Sequence, residues 1–155
     1  MNLRVPPTVA TPMPNKRLRI LIADASREQC GRIQRLLNGL GYFRVAAVGA
    51  FRELVTLTHY SCEPFENFDL LLLSGELAFA AGVDAGAFCQ GNPQIRHAMI
   101  YGGRTEHALP VALGASALQE ILWVQSATQE TLQRFIAHIN PPASLGKDRS
   151  FRTLE

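Results

Sequence analysis

Cysteine and histidine are too few and too scattered in this chain to define a disulfide framework or a metal site. The three cysteines contain no Cys-x-x-Cys pair, and the four histidines show no metal-ligand spacing. An odd, widely spaced set of cysteines excludes a disulfide-stapled secreted domain and fits a reducing cytosol. We therefore expect a cytoplasmic protein without structural zinc. The residues concerned are Cys30, Cys62, Cys89, His59, His97, His107 and His138.

Long apolar runs are also missing. No window reaches the roughly 18 apolar residues of a transmembrane helix, and the beginning of the chain has no apolar core of signal-peptide length. Residues 1–16 are rich in proline and predict a flexible tail, and the polar residues 141–155 predict a second flexible tail or linker. A length of 155 residues, 47% of them apolar, fits one soluble domain over residues 17–140.

Basic residues are concentrated in the first third of the chain, although the net charge is only +2. Residues 1–52 carry nine lysine and arginine side chains against Asp24 and Glu28. A basic arm of this kind can contact phosphates. No nucleic-acid recognition motif accompanies the charge, so we interpret it as a solvated helix face and a solubilising tail. Nucleic acid is thus disfavoured as a partner.

Short apolar runs alternate with helical patterns along residues 17–140. Four consecutive leucines, Leu70 to Leu73, stop at Ser74-Gly75 and indicate a strand that is covered on both faces. Helical stripes follow the first, second and fifth strands, and serine–glutamine pairs at Ser26 and Ser126 predict capping boxes. The predicted strands are Leu18–Ala23, Phe43–Val48, Phe68–Leu73, Ala98–Tyr101 and Ile121–Gln125.

The remaining segments complete an α/β pattern. We expect a small-residue loop at Ala78–Ala81, a short helix at Val83–Gln90, and a helical connection at Arg104–Leu118. Five strands that alternate with helices call for a parallel sheet with helices on both faces. Right-handed connections then predict a three-layer, doubly wound α/β fold.

Two stretches resemble the receiver domain of two-component response regulators. Leu-Ile-Ala-Asp closes the first strand at Asp24, Phe-Asp-Leu-Leu-Leu-Leu leads up to Ser74, and Gly82 follows eight residues later. The resemblance covers roughly residues 17–140. It implies a flavodoxin-like sheet with strand order 2-1-3-4-5, and a site at the carboxyl ends of the strands.

The resemblance also assigns five positions to phosphoryl transfer, and this chain departs from the family at four of them. The family holds Mg²⁺ with two adjacent carboxylates, where this chain has Asp24 followed by Ala25. Ser74 stands in place of the phosphorylated aspartate. Gly102 replaces a serine or threonine, and Gln125 replaces a lysine. These five are therefore vestigial phosphorylation-site positions.

The missing groups are those that the chemistry requires. An acyl phosphate needs a carboxylate nucleophile, whereas a serine hydroxyl would give a far more inert ester. Asp24 with Glu76 is the only candidate pair for a weak Mg²⁺ site, and we favour a solvent-facing Glu76 because one carboxylate pair seldom makes a magnesium site. We therefore expect no cofactor and no enzymatic activity.

Three further residues have more than one interpretation. Ser74 lacks the G-x-S-x-G nucleophile elbow, so we expect its hydroxyl to cap a loop. Gly102-Gly103 indicates a tight left-handed turn, with room for a small ligand as the alternative. Trp123, the single tryptophan, lies on a predicted edge strand. It could anchor an interface or lie in the core under the last helix.

The resulting hypothesis is a degenerate receiver (pseudo-receiver) domain that signals through protein–protein contacts, independently of phosphorylation. The resemblance implies that partners, or a second copy in a homodimer, bind the face of the fourth helix, fifth strand and fifth helix. One alternative is a small-molecule sensor that uses the vacated pocket at the strand ends. Another is the regulatory domain of a longer response regulator.

Overall fold

The computed structural model describes residues 16–59, 67–103 and 119–140. The predicted connection Arg104–Leu118 and, apart from Lys16, both predicted tails lie outside these residues. The described strands are β1 (Ile20–Ala23), β2 (Val45–Val48), β3 (Phe68–Ser74), β4 (Ile95–Tyr101) and β5 (Glu120–Val124). The described helices are α1 (Arg27–Gly39), α2 (Phe51–His59), α3 (Gly75–Ala80), α4 (Ala85–Gln90) and α5 (Gln129–Ile139).

All five strands belong to one parallel sheet in the order β2-β1-β3-β4-β5. The order reverses direction beside β1, because β2 lies on one side of it and β3 on the other. At the centre, Leu71 of β3 is aligned with Leu21 of β1 and with Ala98 of β4. This is the flavodoxin-like α/β architecture, and the predicted fold class and strand order are confirmed.

The four leucines of β3 divide the core into two layers. Leu70 and Leu72 join the cluster under α1 and α5, whereas Leu71 and Leu73 join the cluster under α2, α3 and α4. All four side chains are fully buried. The alternation follows from the pleat, which directs successive side chains to opposite faces of the sheet. The predicted strand with two covered faces is thus the central strand.

Strand boundaries differ from the prediction mainly at β4, which begins at Ile95 instead of Ala98. Arg96 and His97 obscured the strand signal, because a charged residue and a histidine rarely indicate a buried strand. The structure exposes Arg96 and buries His97. Exposed Arg96 between buried Ile95 and buried His97 follows from the pleat, which directs successive side chains to opposite faces of the sheet.

Two predictions about helix starts were wrong. The predicted loop Ala78–Ala81 lies mostly in α3, because Ser74 caps a run of alanine and leucine with high helix propensity. The predicted capping box at Ser126 is formed two residues later. There the Thr128 and Thr131 side chains each accept from the other's backbone N–H. Ser26 does cap α1, since its hydroxyl accepts from the Gln29 N–H, but the predicted capping box is not completed because the Ser26 N–H donates to Asp24 instead of Gln29.

No described helix combines the length and the hydrophobicity needed to cross a membrane.

β5 is held to β4 at its beginning by a buried histidine. Nδ1 of His97, which is only 9% exposed, accepts a hydrogen bond of 3.1 Å from the Glu120 backbone N–H. Burial lowers the pKa of His97, and the charge of Arg96 adds to this effect. The nearby Glu120 and Asp69 carboxylates act in the opposite direction, and His138 again lowers the pKa. The neutral ring is therefore the form that the fold selects.

Stability should fall with acidity because of His97. An unfolded histidine titrates near pH 6.5, so the unfolded chain takes up this proton before the folded chain does. The contribution of His97 is complete above that pH and is lost as the pH falls through it toward the lower folded pKa. We expect the free energy of unfolding, measured in urea, to decline from about pH 7 to about pH 5.

The variant His97→Asn isolates this effect, because its amide oxygen can still accept the Glu120 N–H but does not titrate. We expect a flatter pH dependence in this variant, whatever its absolute stability. His138→Gln, which changes the exposed histidine near Glu120, serves as the control and should keep the native slope. An unchanged slope in His97→Asn would show that other groups set the pH dependence.

Candidate functional site

The carboxyl ends of the strands meet at one open cleft of about 340 Å³. Its lining includes four of the five positions singled out from the sequence, Asp24, Ser74, Gly102 and Gln125. The fifth, Ala25, is exposed and does not line the cleft. The other lining residues are Ser26, Gln29, Glu76, Tyr101, Gly103 and Ser126.

Asp24, which is 8% exposed, has a hydrogen-bond partner on each carboxylate oxygen. Oδ1 accepts from the Ser26 backbone N–H at 2.9 Å, and Oδ2 accepts from the Tyr101 hydroxyl at 2.7 Å. A carboxylate that ligates Mg²⁺ needs an oxygen facing the ion. In this chain each oxygen accepts one hydrogen bond from the protein, so the carboxylate is part of the internal hydrogen bonding of the fold.

Tyr101 is the site residue that sequence reasoning missed. It ends β4 and is aligned with Ser74 of β3, and it is 3% exposed. Burial raises the pKa of Tyr101, and the hydrogen bond to Asp24 raises it further. The phenol therefore stays protonated and donates to Asp24. An available signal was its position as the last residue of an apolar strand, directly before Gly102-Gly103.

A hydroxyl group therefore does end the fourth strand, at Tyr101. The resemblance assigns a serine or threonine to the next position, Gly102, which lies one residue after the strand ends. The Tyr101 hydroxyl is directed at Asp24, and its hydrogen bond to Oδ2 leaves it paired within the protein.

Ser74 uses its hydroxyl as a helix cap. It is the N-cap residue of α3, and its Oγ accepts from the Leu77 backbone N–H at 3.3 Å. The side chain is 7% exposed. The predicted capping role is thus confirmed, although the capped element is a helix and not a loop. No described histidine lines the cleft beside it.

Gly102 and Gly103 close a tight turn in the left-handed region, with φ of 70° and 69°. Their backbone lies against that of Gly75: a Cβ added to Gly75 would be 2.8 Å from the Gly102 carbonyl oxygen. A Cβ on Gly103 would likewise be 2.9 Å from the Gly75 carbonyl carbon. The predicted left-handed turn is confirmed. The Gly75 backbone, at the start of α3, occupies the space beside Gly103, whereas a Cβ added to Gly102 would meet nothing within 4 Å.

Gln125 and Glu76 complete the cleft. Gln125 is exposed directly after β5, and its carbonyl oxygen accepts from the Gly102 N–H at 3.0 Å. Glu76 is exposed in the first turn of α3. Among the described residues, the lining therefore contains two carboxylates, Asp24 and Glu76, and neither lysine nor arginine. Over residues 16–59, 67–103 and 119–140, no three His, Cys, Asp or Glu side chains converge as a metal site.

Trp123 lies on the face of the sheet opposite α5. It is half-buried against the core cluster under α2, α3 and α4, and a Cβ added to Gly86 of α4 would be 3.0 Å from its ring. The interpretation of Trp123 as a core residue under the last helix was wrong in its choice of face. The register decides this, since Leu122 and Val124 point to the α1–α5 side. Its role as an interface residue stays a prediction.

These features define a flavodoxin-like α/β protein in which Asp24, Ser74 and Tyr101, at the strand ends, are hydrogen-bonded within the protein. No protein-family model matches the chain, and no curated protein sequence matches it either. The fold and the geometry of this cleft are therefore the observations that bear on function.

Removing the Tyr101 hydroxyl should be costly, because it would leave a buried carboxylate oxygen without its donor. We expect Tyr101→Phe to lower the free energy of unfolding by about 1.5–3 kcal/mol, the usual range for hydrogen bonds to charged groups. Urea denaturation measures the loss.

Tyr42→Phe is a matched control. Tyr42 is also 3% exposed, but its hydroxyl has only a 3.4 Å contact with the neutral Asn140 amide. Its loss should be smaller than that of Tyr101→Phe. Equal losses in the two variants would contradict the assignment of Tyr101 as the main partner of Asp24.

Proposed function

We propose that this chain is a degenerate receiver domain, a signalling module that acts through protein–protein contacts in a two-component-type pathway. The observation that carries the proposal is the state of Asp24. Its two oxygens are bonded to the Ser26 N–H and the Tyr101 hydroxyl, where a phosphorylated receiver would use them for Mg²⁺. In this proposal the module is cytoplasmic and is not an enzyme.

The chemistry of the other positions supports the same proposal. An acyl phosphate forms on a carboxylate, and the strand-end residue of β3 is Ser74, whose hydroxyl already accepts from Leu77. A phosphoryl group also needs a fixed cation to offset its charge. The described part of the cleft supplies the Asp24 and Glu76 carboxylates and no basic side chain, so the charge of these residues would oppose a phosphoryl group.

Closure of the strand-end loops favours a protein-binding role over small-molecule sensing. Ligand sites are mostly concave and bury most of the ligand surface. Here Gly75, Gly102 and Gly103 pack backbone to backbone, and the cleft outside them is open. The surface is therefore where the proposal puts the function.

The β5–α5 face is the surface we propose for the protein partner, or for a second copy in a homodimer. A groove of about 430 Å³ runs between these elements, floored by apolar side chains with Arg134 and His138 at its rim. Arg134 is exposed and pairs with Glu130 at 3.1 Å. The fourth-helix part of the predicted face, residues 104–118, lies outside the described residues. The apolar floor includes Leu122, Val124 and Phe135.

Phosphoryl analogues test the proposal directly. We expect beryllofluoride with Mg²⁺ to leave the amide NMR spectrum of the native chain unchanged, because Ser74 stands where the acceptor carboxylate is needed and both oxygens of Asp24 already accept hydrogen bonds within the protein. Widespread shifts around Ser74 and Gly102 in the native chain would contradict the proposal.

A variant with Ala25→Asp, Ser74→Asp and Gln125→Lys provides the control. It restores a carboxylate beside Asp24, the acceptor carboxylate and the lysine, while aspartate can still cap α3. This variant should gain shifts among the residues that line the cleft. If the spectrum of the variant shifts and that of the native chain does not, these three side chains account for the missing response of the native chain.

A further inference from the structure

The β2 edge of the sheet lies on the side away from the β5–α5 face. Within the described residues β2 pairs only with β1, and Ala46 and Ala47 are both exposed. Ile20 donates to the Arg44 carbonyl and Asp24 donates to the Val48 carbonyl. Since alternate residues of a strand bond to the same side, the N–H and C=O groups of Val45 and Ala47 point away from β1. These are the groups that an added strand would pair with.

This edge carries few of the devices that usually block strand addition. Natural edges are protected by proline, by lysine, by bulges or by shortness. β2 reads Val-Ala-Ala-Val, so shortness is its one protective feature. Three large apolar side chains of the described residues are exposed, and two of them lie near β2. Phe43, 70% exposed, comes just before β2, and Leu57, 39% exposed, lies on α2, which packs against β2.

The charge around β2 is positive. At its amino end the Arg44 guanidinium donates to the Arg17 carbonyl at 3.3 Å, and Lys16 lies over the neighbouring Tyr42 ring. Arg52 is exposed just past its carboxyl end. The acid nearest to β2 in the described sequence, Glu53, accepts from the Gly49 N–H. The ion pairs that join two described residues are Asp69–Arg96, Glu130–Arg134 and Glu120–His138.

We propose that β2 binds an extended acidic segment of a partner protein, which adds as a sixth strand to the sheet. Main-chain hydrogen bonds to Val45 and Ala47 would supply affinity, as in other strand additions. The basic residues would select glutamate and aspartate, and Phe43 and Leu57 offer contacts to an apolar side chain. A second copy would bring the same positive charges to the contact, which disfavours self-association at this edge.

A synthetic peptide that alternates glutamate with valine is the first probe. We expect it to bind, measured by fluorescence anisotropy, with amide shifts concentrated at Phe43 and Val45–Val48. Replacing its glutamates by lysine should weaken binding at least about tenfold, because like charges then face each other. Equal binding of both peptides, or shifts confined to other elements, would overturn the proposal.

Ala47→Pro tests the strand pairing itself. It removes an N–H that points away from β1, and proline is tolerated at such edge positions. We expect at least about a tenfold loss of peptide binding with circular dichroism unchanged. Arg44→Glu should also weaken binding about tenfold, and it keeps the test decisive if the proline variant fails to fold. Arg96→Glu, an exposed arginine on β4 and away from this edge, is the matched control and should bind as the native chain does.

Two other occupants are outcomes of the same experiments. Binding of an oligothymidylate at Phe43 and Arg44, without binding of the acidic peptide, would make this a nucleic-acid surface and overturn the proposal. Sedimentation showing a dimer that Ala47→Pro abolishes, again without peptide binding, would assign the edge to a second copy. Neither outcome bears on the phosphoryl-analogue test, so the two proposals fail separately.

Discussion

Burial of β3 on both faces is the constraint on which the rest of the structure depends. Each of its four leucines is removed from water, and burying one leucine side chain contributes about 1.5–3 kcal/mol. A strand that is apolar on both faces needs a helical layer above and below it. The two core clusters supply those layers, with α1 and α5 on one side and α2, α3 and α4 on the other.

The central strand also fixes where a functional site can form. Parallel strands end at one edge of the sheet, so Asp24, Ser74 and Tyr101 are brought together whatever their chemistry. In this chain their polar groups are satisfied by one another and by local backbone: Tyr101 and Ser26 donate to Asp24, and Ser74 accepts from Leu77. Buried polar groups without partners are costly. These internal hydrogen bonds therefore stabilise the polar groups at the strand ends.

The sequence was most informative where the physics is local and periodic. Five apolar runs separated by helical stripes were enough to predict the sheet, and the strand-end rule put Asp24, Ser74, Gly102 and Gln125 at one cleft. Tyr101 was missed although it ends the predicted fourth strand, because a tyrosine in an apolar strand looks like another core residue until its hydroxyl partner is known.

Two other failures have related causes. Alanine-rich Ala78–Ala81 suits a loop or a helix equally well, and the Ser74 cap selected the helix. The face on which Trp123 lies depends on the register of β5 with β4, a long-range pairing that spacing along the chain does not determine.

We propose that this fold keeps a receiver-like arrangement of strand ends without its phosphoryl chemistry. The decisive test is intact-protein mass spectrometry after incubation with acetyl phosphate and Mg²⁺. We expect the native chain to gain no phosphoryl adduct. An adduct located by peptide fragmentation at Asp24 or Ser74 would contradict it, because one of these groups would then be free to react in spite of its hydrogen bonds.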